Sequence, residues 1–198
     1  MSHYFVNDDK VESKPRNVDY SINGVDFSLI SDNGVFSKNE IDKGSELLIK
    51  TLLPINLGTN LIDLGCGIGV IGLTLAYFHP SLNVLLIDVN TRALSLCSAN
   101  AKSLKLSHRV TILQSDIYSK VEGKFDSIVS NPPIRAGKKV TYEIYRGALT
   151  HLIDGGSLYI VIRRKQGAES AFKYLETIFE NVSVLHKEKG YWIIKATK

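Results

Sequence analysis

From residue 60 onward the chain alternates short, almost continuously apolar runs with segments of helical period. This alternation constrains the fold more than any other feature. Strands apolar on both sides must be covered on both faces, and the covering helices lie between them in sequence, so the sheet is parallel and doubly wound. The pattern predicts strands over Asn60–Leu64, Asn83–Asp88, Arg109–Leu113, Phe125–Ser130 and Leu158–Ile162. It predicts helices over Ile68–His79, Thr91–Ser103 (capped by Asn90), Tyr142–Leu152 (closed by Asp154-Gly155-Gly156) and Ala168–Phe179. Val182–His186 and Tyr191–Ala196, around Lys187-Glu188-Lys189-Gly190, read as an antiparallel hairpin.

Ahead of this core, apolar and polar residues alternate on both sides of Asn23-Gly24, over residues 18–22 and 25–30. A type I′ turn needs positive φ at both central residues, so Asn-Gly between such runs predicts a β-hairpin. A helix follows over Asp42–Leu53. Residues 1–17 are polar and are expected to form a flexible leader. Residues 18–198 are expected to be a single domain, with the hairpin and helix in 18–58 and the core in 59–198.

The 198 residues are 44% hydrophobic and 22% charged, enough to bury a core without disulfide or metal staples. Cys66 and Cys97 show neither zinc spacing nor a pairing pattern and read as small buried residues. The five histidines are scattered, so no metal is expected. Met1–Lys10 has no apolar signal core, and the longest uncharged apolar stretch, Leu64–Phe78, is too short to span a bilayer. A soluble, cytoplasmic protein is expected.

Asp63-Leu64-Gly65-Cys66-Gly67-Ile68-Gly69 is a strand running into glycines that open a helix. In a doubly wound sheet, ligands bind there, at the carboxyl ends of the strands. Gly67 to Gly72 formally fits G-x-G-x-x-G, so a nicotinamide dinucleotide and an oxidoreductase compete for this turn. Asp63 opposes that reading, because a carboxylate two residues before the first glycine repels a pyrophosphate and attracts a sulfonium and an ammonium. S-adenosylmethionine is such a ligand. Asp88 with its neighbour Val89 ends the second strand, where a carboxylate can accept ribose hydroxyls. Asp116 with Ile117 follows the third, where a carboxylate can accept from an adenine amine. Each acid alone reads as readily as a loop cap.

Ser130-Asn131-Pro132-Pro133-Ile134 follows the fourth strand. By itself it is a rigid turn. Two prolines fix the backbone and leave carbonyls as acceptors, and Asn131 is held extended ahead of them. The Asn131 side-chain oxygen and the Pro132 carbonyl can converge on one amino group. Accepting both protons of an exocyclic amine favours a pyramidal nitrogen with its lone pair free to attack a methyl group. Catalysis there is positioning and electrostatics.

Asp63-Leu64-Gly65-Cys66-Gly67 and Asn131-Pro132-Pro133-Ile134, with Asn33-Gly34-Val35-Phe36-Ser37, Asp42 and Gly44 upstream, resemble the class I S-adenosylmethionine-dependent methyltransferases of the MTS small-domain family. Its members include the ribosomal small-subunit guanine-N2 methyltransferases of the RsmC type. The resemblance covers roughly residues 18–198 and implies a seven-strand, Rossmann-like sheet with a C-terminal antiparallel hairpin. By resemblance, Asp63, Gly65, Cys66, Gly67 and Gly69 hold the methionine part of the cofactor, Asp88 and Val89 the ribose, and Asp116 and Ile117 the adenine. Phe36 and Ser37 cover the cofactor, Asn131 and Pro132 grip the acceptor amine, and Pro133 completes the turn. Many relatives have an aromatic residue where this chain has Ile134, and Phe36 can substitute for it.

Arg135, Lys138 and Lys139 directly follow the Asn-Pro-Pro turn, and Arg163 and Arg164 follow the next strand. At a net charge of +4, their clustering at one sheet edge suits phosphate contacts with RNA, ribosomal RNA by resemblance. The expected reaction is methylation of guanine N2. Adenine N6, a protein glutamine amide, an oxidoreductase and an RNA-binding protein without catalysis are the alternatives.

Overall fold

The computed structural model describes residues 11–198. Seven strands form one sheet: β3 (Asn60–Leu64), β4 (Asn83–Asp88), β5 (Val110–Gln114), β6 (Phe125–Ser130), β7 (Leu152–Arg163), β8 (Asn181–Glu188) and β9 (Tyr191–Thr197). Their order is β5-β4-β3-β6-β7-β9-β8. The first five are parallel, and β9 runs antiparallel between β7 and β8. The chain order reverses between β3 and β6, so the crevice at their carboxyl ends is where a ligand fits.

Alternate residues of each strand enter two separate cores. Leu61, Leu86, Val129 and Val161 pack beneath α1 (Lys43–Leu52), α2 (Val70–Phe78) and α3 (Thr91–Ser103). Ile62, Ile87, Ile128 and Ile160 pack beneath α4 (Lys138–His151) and α5 (Ala168–Glu176) on the other face. Burial on both faces is why these strands read as unbroken apolar runs.

The hairpin forms as the Asn-Gly turn dictates. Strands β1 (Arg16–Ile22) and β2 (Val25–Ser31) pair through Asn23 and Gly24, at φ +53° and +78°. Val18, Ile22, Phe27 and Leu29 are buried against the first core. Asn100 in α3, itself fully buried, clamps the hairpin. Its amide accepts from Ile30 N–H at 2.7 Å and donates to the Ile30 and Ile68 carbonyls, each at 3.0 Å.

Three expectations change. Helix α4 begins four residues early, so Lys138 and Lys139 lie in its first turn rather than in a loop. Strand β7 begins at Leu152 and absorbs Gly155 and Gly156, because the chain terminus pairs with them: Gly155 N–H donates to the Lys198 carbonyl and Lys198 N–H to that of Gly156. Of the expected leader, residues 1–10 lie outside the described residues, while the remainder is held. Asp32 accepts from Ser13 Oγ and Lys14 N–H, and Arg92 donates to the Val11 carbonyl at 2.8 Å. Among the described residues no helix is long and apolar enough to cross a membrane, and no group of three or more His, Cys, Asp or Glu could hold a metal.

Candidate active site

A cleft of about 470 Å3 opens at the carboxyl ends of β3, β4, β5, β6 and β7. Gly65 and Gly67 form its floor. Both adopt positive φ, +76° and +55°, and a Cβ on either would project into open space. Their side-chain-free surface therefore faces the cleft. The turn is fastened to β4, with the Gly65 and Cys66 N–H groups donating to the Ile87 carbonyl, each at 2.8 Å.

Asp88 orders the next part. One of its oxygens accepts from Gly67 N–H and the other from Asn90 N–H, each at 2.9 Å. Burial raises the Asp88 carboxyl above its ordinary value, against the pull of these backbone donors. Each carboxylate oxygen keeps a lone pair for a ligand. Val89, Asp116 and Ile117 line the same end of the cleft. Ile117 stands at φ +48°, a conformation costly for a β-branched residue, which marks this turn as strained where it meets the cleft.

At the opposite wall, Asn131 is fixed by residues from α1. Its Nδ2 donates to Asp42 Oδ2 at 2.9 Å and to Ser45 Oγ at 3.0 Å. A carboxylate can only accept, so the amide nitrogen must face Asp42 and the Asn131 oxygen is left for the cleft. Asp42 is also the cap of α1, accepting Ser45 N–H at 3.0 Å. Pro132 and Pro133 line the cleft. The Pro132 carbonyl already accepts Ile134 N–H at 2.8 Å and retains a second lone pair.

Phe36 reaches the cleft from the hairpin side and is 43% exposed. Its segment is pinned where Asn90 Nδ2 donates to the Gly34 carbonyl and Arg92 to that of Asn33, each at 3.0 Å. Ile134, Arg135 and Arg163 line the cleft. The Arg163 guanidinium lies over the Tyr191 ring, 4.6 Å from its centroid.

Seven anticipated residues are not brought to the cleft. Asp63 is fully buried behind the glycine turn, with one oxygen accepting Gly72 N–H at 2.8 Å and the other, also buried, without a partner among the described residues. Burial pushes its carboxyl up to about 7, aided by the Asp88 charge. Cys66 and Gly69 turn inward, toward Cys97, and burial raises the Cys66 thiol well above its ordinary value. Ser37 lines a neighbouring depression and donates to the Glu40 carbonyl. Lys138 and Lys139 stand on α4, and Arg164 pairs with Glu169 at 2.9 Å. Conversely, Asp42, Asn90, Ser115, Gln166 and Tyr191 line the cleft without having been singled out for it. Of these, Asn90 carried a local signal as a helix cap, and Asp42 stood only at the start of a helix and among the residues of the resemblance.

The residues present fit S-adenosylmethionine: a glycine floor with open space above it, and beyond it two carboxylates at successive strand ends, Asp88 and the exposed Asp116.

Comparison with known proteins agrees with this geometry. The chain is 44% identical to the uncharacterized protein YbxB of Bacillus subtilis, over 99% of this chain and 98% of that protein. It is 42% identical to ribosomal RNA small subunit methyltransferase C of Photorhabdus laumondii, over 83% of this chain but 48% of that protein. The chain thus spans about half the length of that methyltransferase, and 39% of the Mannheimia succiniciproducens one. Among solved structures, the T. thermophilus 16S rRNA N2 G1207 methyltransferase (RsmC), in complex with AdoMet and guanosine, superposes with a TM-score of 0.82 at 25% identity, over 93% of this chain and 50% of that one. The methyltransferase small domain profile matches residues 26–195, which takes in the hairpin's second strand, the glycine turn, the Asn-Pro-Pro turn and the C-terminal strands, and the chain belongs to that family.

Proposed function

We propose that this chain transfers a methyl group from S-adenosylmethionine to the exocyclic N2 amine of guanine in small-subunit ribosomal RNA. The observation that carries this reading is the orientation of Asn131. Asp42 and Ser45 take its amide nitrogen and leave its oxygen as a fixed acceptor beside the Pro132 carbonyl. Two acceptors on a rigid turn suit an –NH2 group and leave its lone pair free.

When bound, S-adenosylmethionine supplies an electrophilic methyl group on a sulfonium. Gly65 and Gly67 give its chain close access to the backbone, Asp88 accepts the ribose hydroxyls, and Asp116 accepts from the adenine amine. Asn131 and Pro132 orient the acceptor nitrogen. No protein group is needed as a strong base, because the proton leaves to water after transfer.

RNA as substrate is supported by charge. Arg135 and Arg163 stand at the cleft, and Lys138 and Lys139 crowd the N-terminus of α4, which has no side-chain cap. Cations at the positive end of a helix are unfavourable until an anion neutralises them. The RsmC relatives, named for ribosomal RNA methylation, support the ribosomal target.

The test is tritiated methyl transfer to 30S subunits and to 16S rRNA from a strain lacking this chain, with nucleosides resolved chromatographically. N2-methylguanosine is the expected product. Label in N6-methyladenosine or in protein refutes the guanine assignment. Asn131→Ala should cut transfer at least about 100-fold while S-adenosylhomocysteine affinity changes only a few-fold. Retained turnover removes Asn131 from its role.

A further inference from the structure

Asp42 has two oxygens with different fates. Oδ2 accepts from both Ser45 N–H and Asn131 Nδ2. Oδ1 has no protein partner among the described residues, and Asp42 lines the cleft beside Asn131 and Pro132. The acceptor wall is therefore three members long: the Asn131 oxygen, the Pro132 carbonyl and a carboxylate oxygen.

An exocyclic amine alone does not need the third acceptor, since Asn131 and Pro132 already match its two protons. The neighbouring ring atom does distinguish the bases. In guanine the atom beside the 2-amino group is N1–H, a donor. In adenine and cytosine the ring nitrogen beside the amine on the pairing edge carries a lone pair. A carboxylate oxygen attracts the first and repels the second. We infer that Asp42 is the residue that selects guanine, its free oxygen accepting N1–H while its other oxygen holds Asn131 in position. This rests on the methyl-acceptor reading above and adds to it a means of rejecting the other aminated bases.

The structure supplies a sharp perturbation. In Asp42→Asn the side-chain oxygen must still face two donors, Ser45 N–H and Asn131 Nδ2, so the new NH2 occupies the free position. The helix cap survives, since Asn caps as well as Asp. One point of the wall changes from acceptor to donor and little else changes.

The experiment is calorimetric titration of guanosine, 2-aminopurine riboside and adenosine into protein saturated with S-adenosylhomocysteine, so that the cofactor's adenosine site is filled. 2-Aminopurine keeps the 2-amino group but has a lone pair at N1. The wild type should bind guanosine at least about tenfold more tightly than 2-aminopurine riboside, the scale of one charge-assisted hydrogen bond. Asp42→Asn should lose about tenfold for guanosine and gain for 2-aminopurine riboside. Equal wild-type affinity for these two nucleosides overturns the inference, and that comparison needs no variant to fold. Undiminished guanosine binding by folded Asp42→Asn overturns it also. A wild type that binds adenosine in preference to guanosine overturns the guanine assignment itself, a different failure.

Discussion

Replacing Asp63 by asparagine probes the least comfortable group in the fold. The side chain is fully buried, with one oxygen on Gly72 N–H and the other without a partner among the described residues, and burial moves its carboxyl from 3.8 to about 7. The direction of the stability effect follows from linkage. Below about pH 4 the carboxyl is protonated in both native and unfolded chains and imposes no penalty. Between 4 and 7 the unfolded chain releases the proton while the native one retains it, so stability falls by about 1.4 kcal/mol per pH unit. Above 7 the loss levels off at about 4 kcal/mol, an order-of-magnitude figure. Asp63→Asn abolishes the titration and keeps an acceptor for Gly72, at a fixed cost for its own buried NH2. The informative quantity is therefore the change with pH in the stability difference, measured by urea unfolding of both proteins from pH 4 to 8. It should move in favour of the variant by up to about 4 kcal/mol. A constant offset across that range would refute the burial argument. Repeating the series with saturating S-adenosylhomocysteine asks a second question. An ammonium serving as counter-ion to Asp63 lowers its native pKa and flattens the slope, whereas an unchanged slope excludes Asp63 from the cofactor site.

Three further outcomes are expected. Gly67→Ala should cost about 1–2 kcal/mol of stability, because φ is +55° and the left-handed region disfavours a Cβ, yet it should abolish S-adenosylhomocysteine binding in calorimetry by placing a methyl group in the cleft. Asn100→Ala strips Ile30 N–H and the Ile30 and Ile68 carbonyls of their partner and should cost about 3 kcal/mol in urea unfolding, and a loss below about 1 kcal/mol would mean the clamp is dispensable. Arg163→Ala should weaken filter-binding affinity for 16S rRNA and lower its salt slope by about one, while Arg164→Ala, whose side chain is already turned to Glu169, should change neither beyond about twofold.

The parts of this molecule legible in the sequence are those fixed by local or periodic physics. Strands buried on both faces announce themselves as apolar runs, and Asn23-Gly24 can hardly be anything but a tight hairpin turn. Strand β7 was legible only in its second half. Gly155-Gly156 reads as a break, and it is strand because Lys198, at the far end of the chain, supplies its hydrogen bonds. The site divides the same way. Asp88, Asp116 and Asn131 follow from the rule that ligands gather at strand ends. Asp63 obeys the rule in position and departs from it in direction. Side chains alternate along a strand, so Asp63 shares the face of Leu61, the face that α2 covers, and its carboxylate is drawn to the Gly72 N–H in that helix instead of the cleft. Asp42 is the converse case. Its cap bond is local, three residues away at Ser45, while its partner Asn131 lies 89 positions on. A carboxylate that caps a helix uses few of its lone pairs. Docking the capped end of α1 against the end of β6 gives the remaining ones to the cleft, so the same residue starts a helix, turns an amide and leaves one oxygen for a ligand.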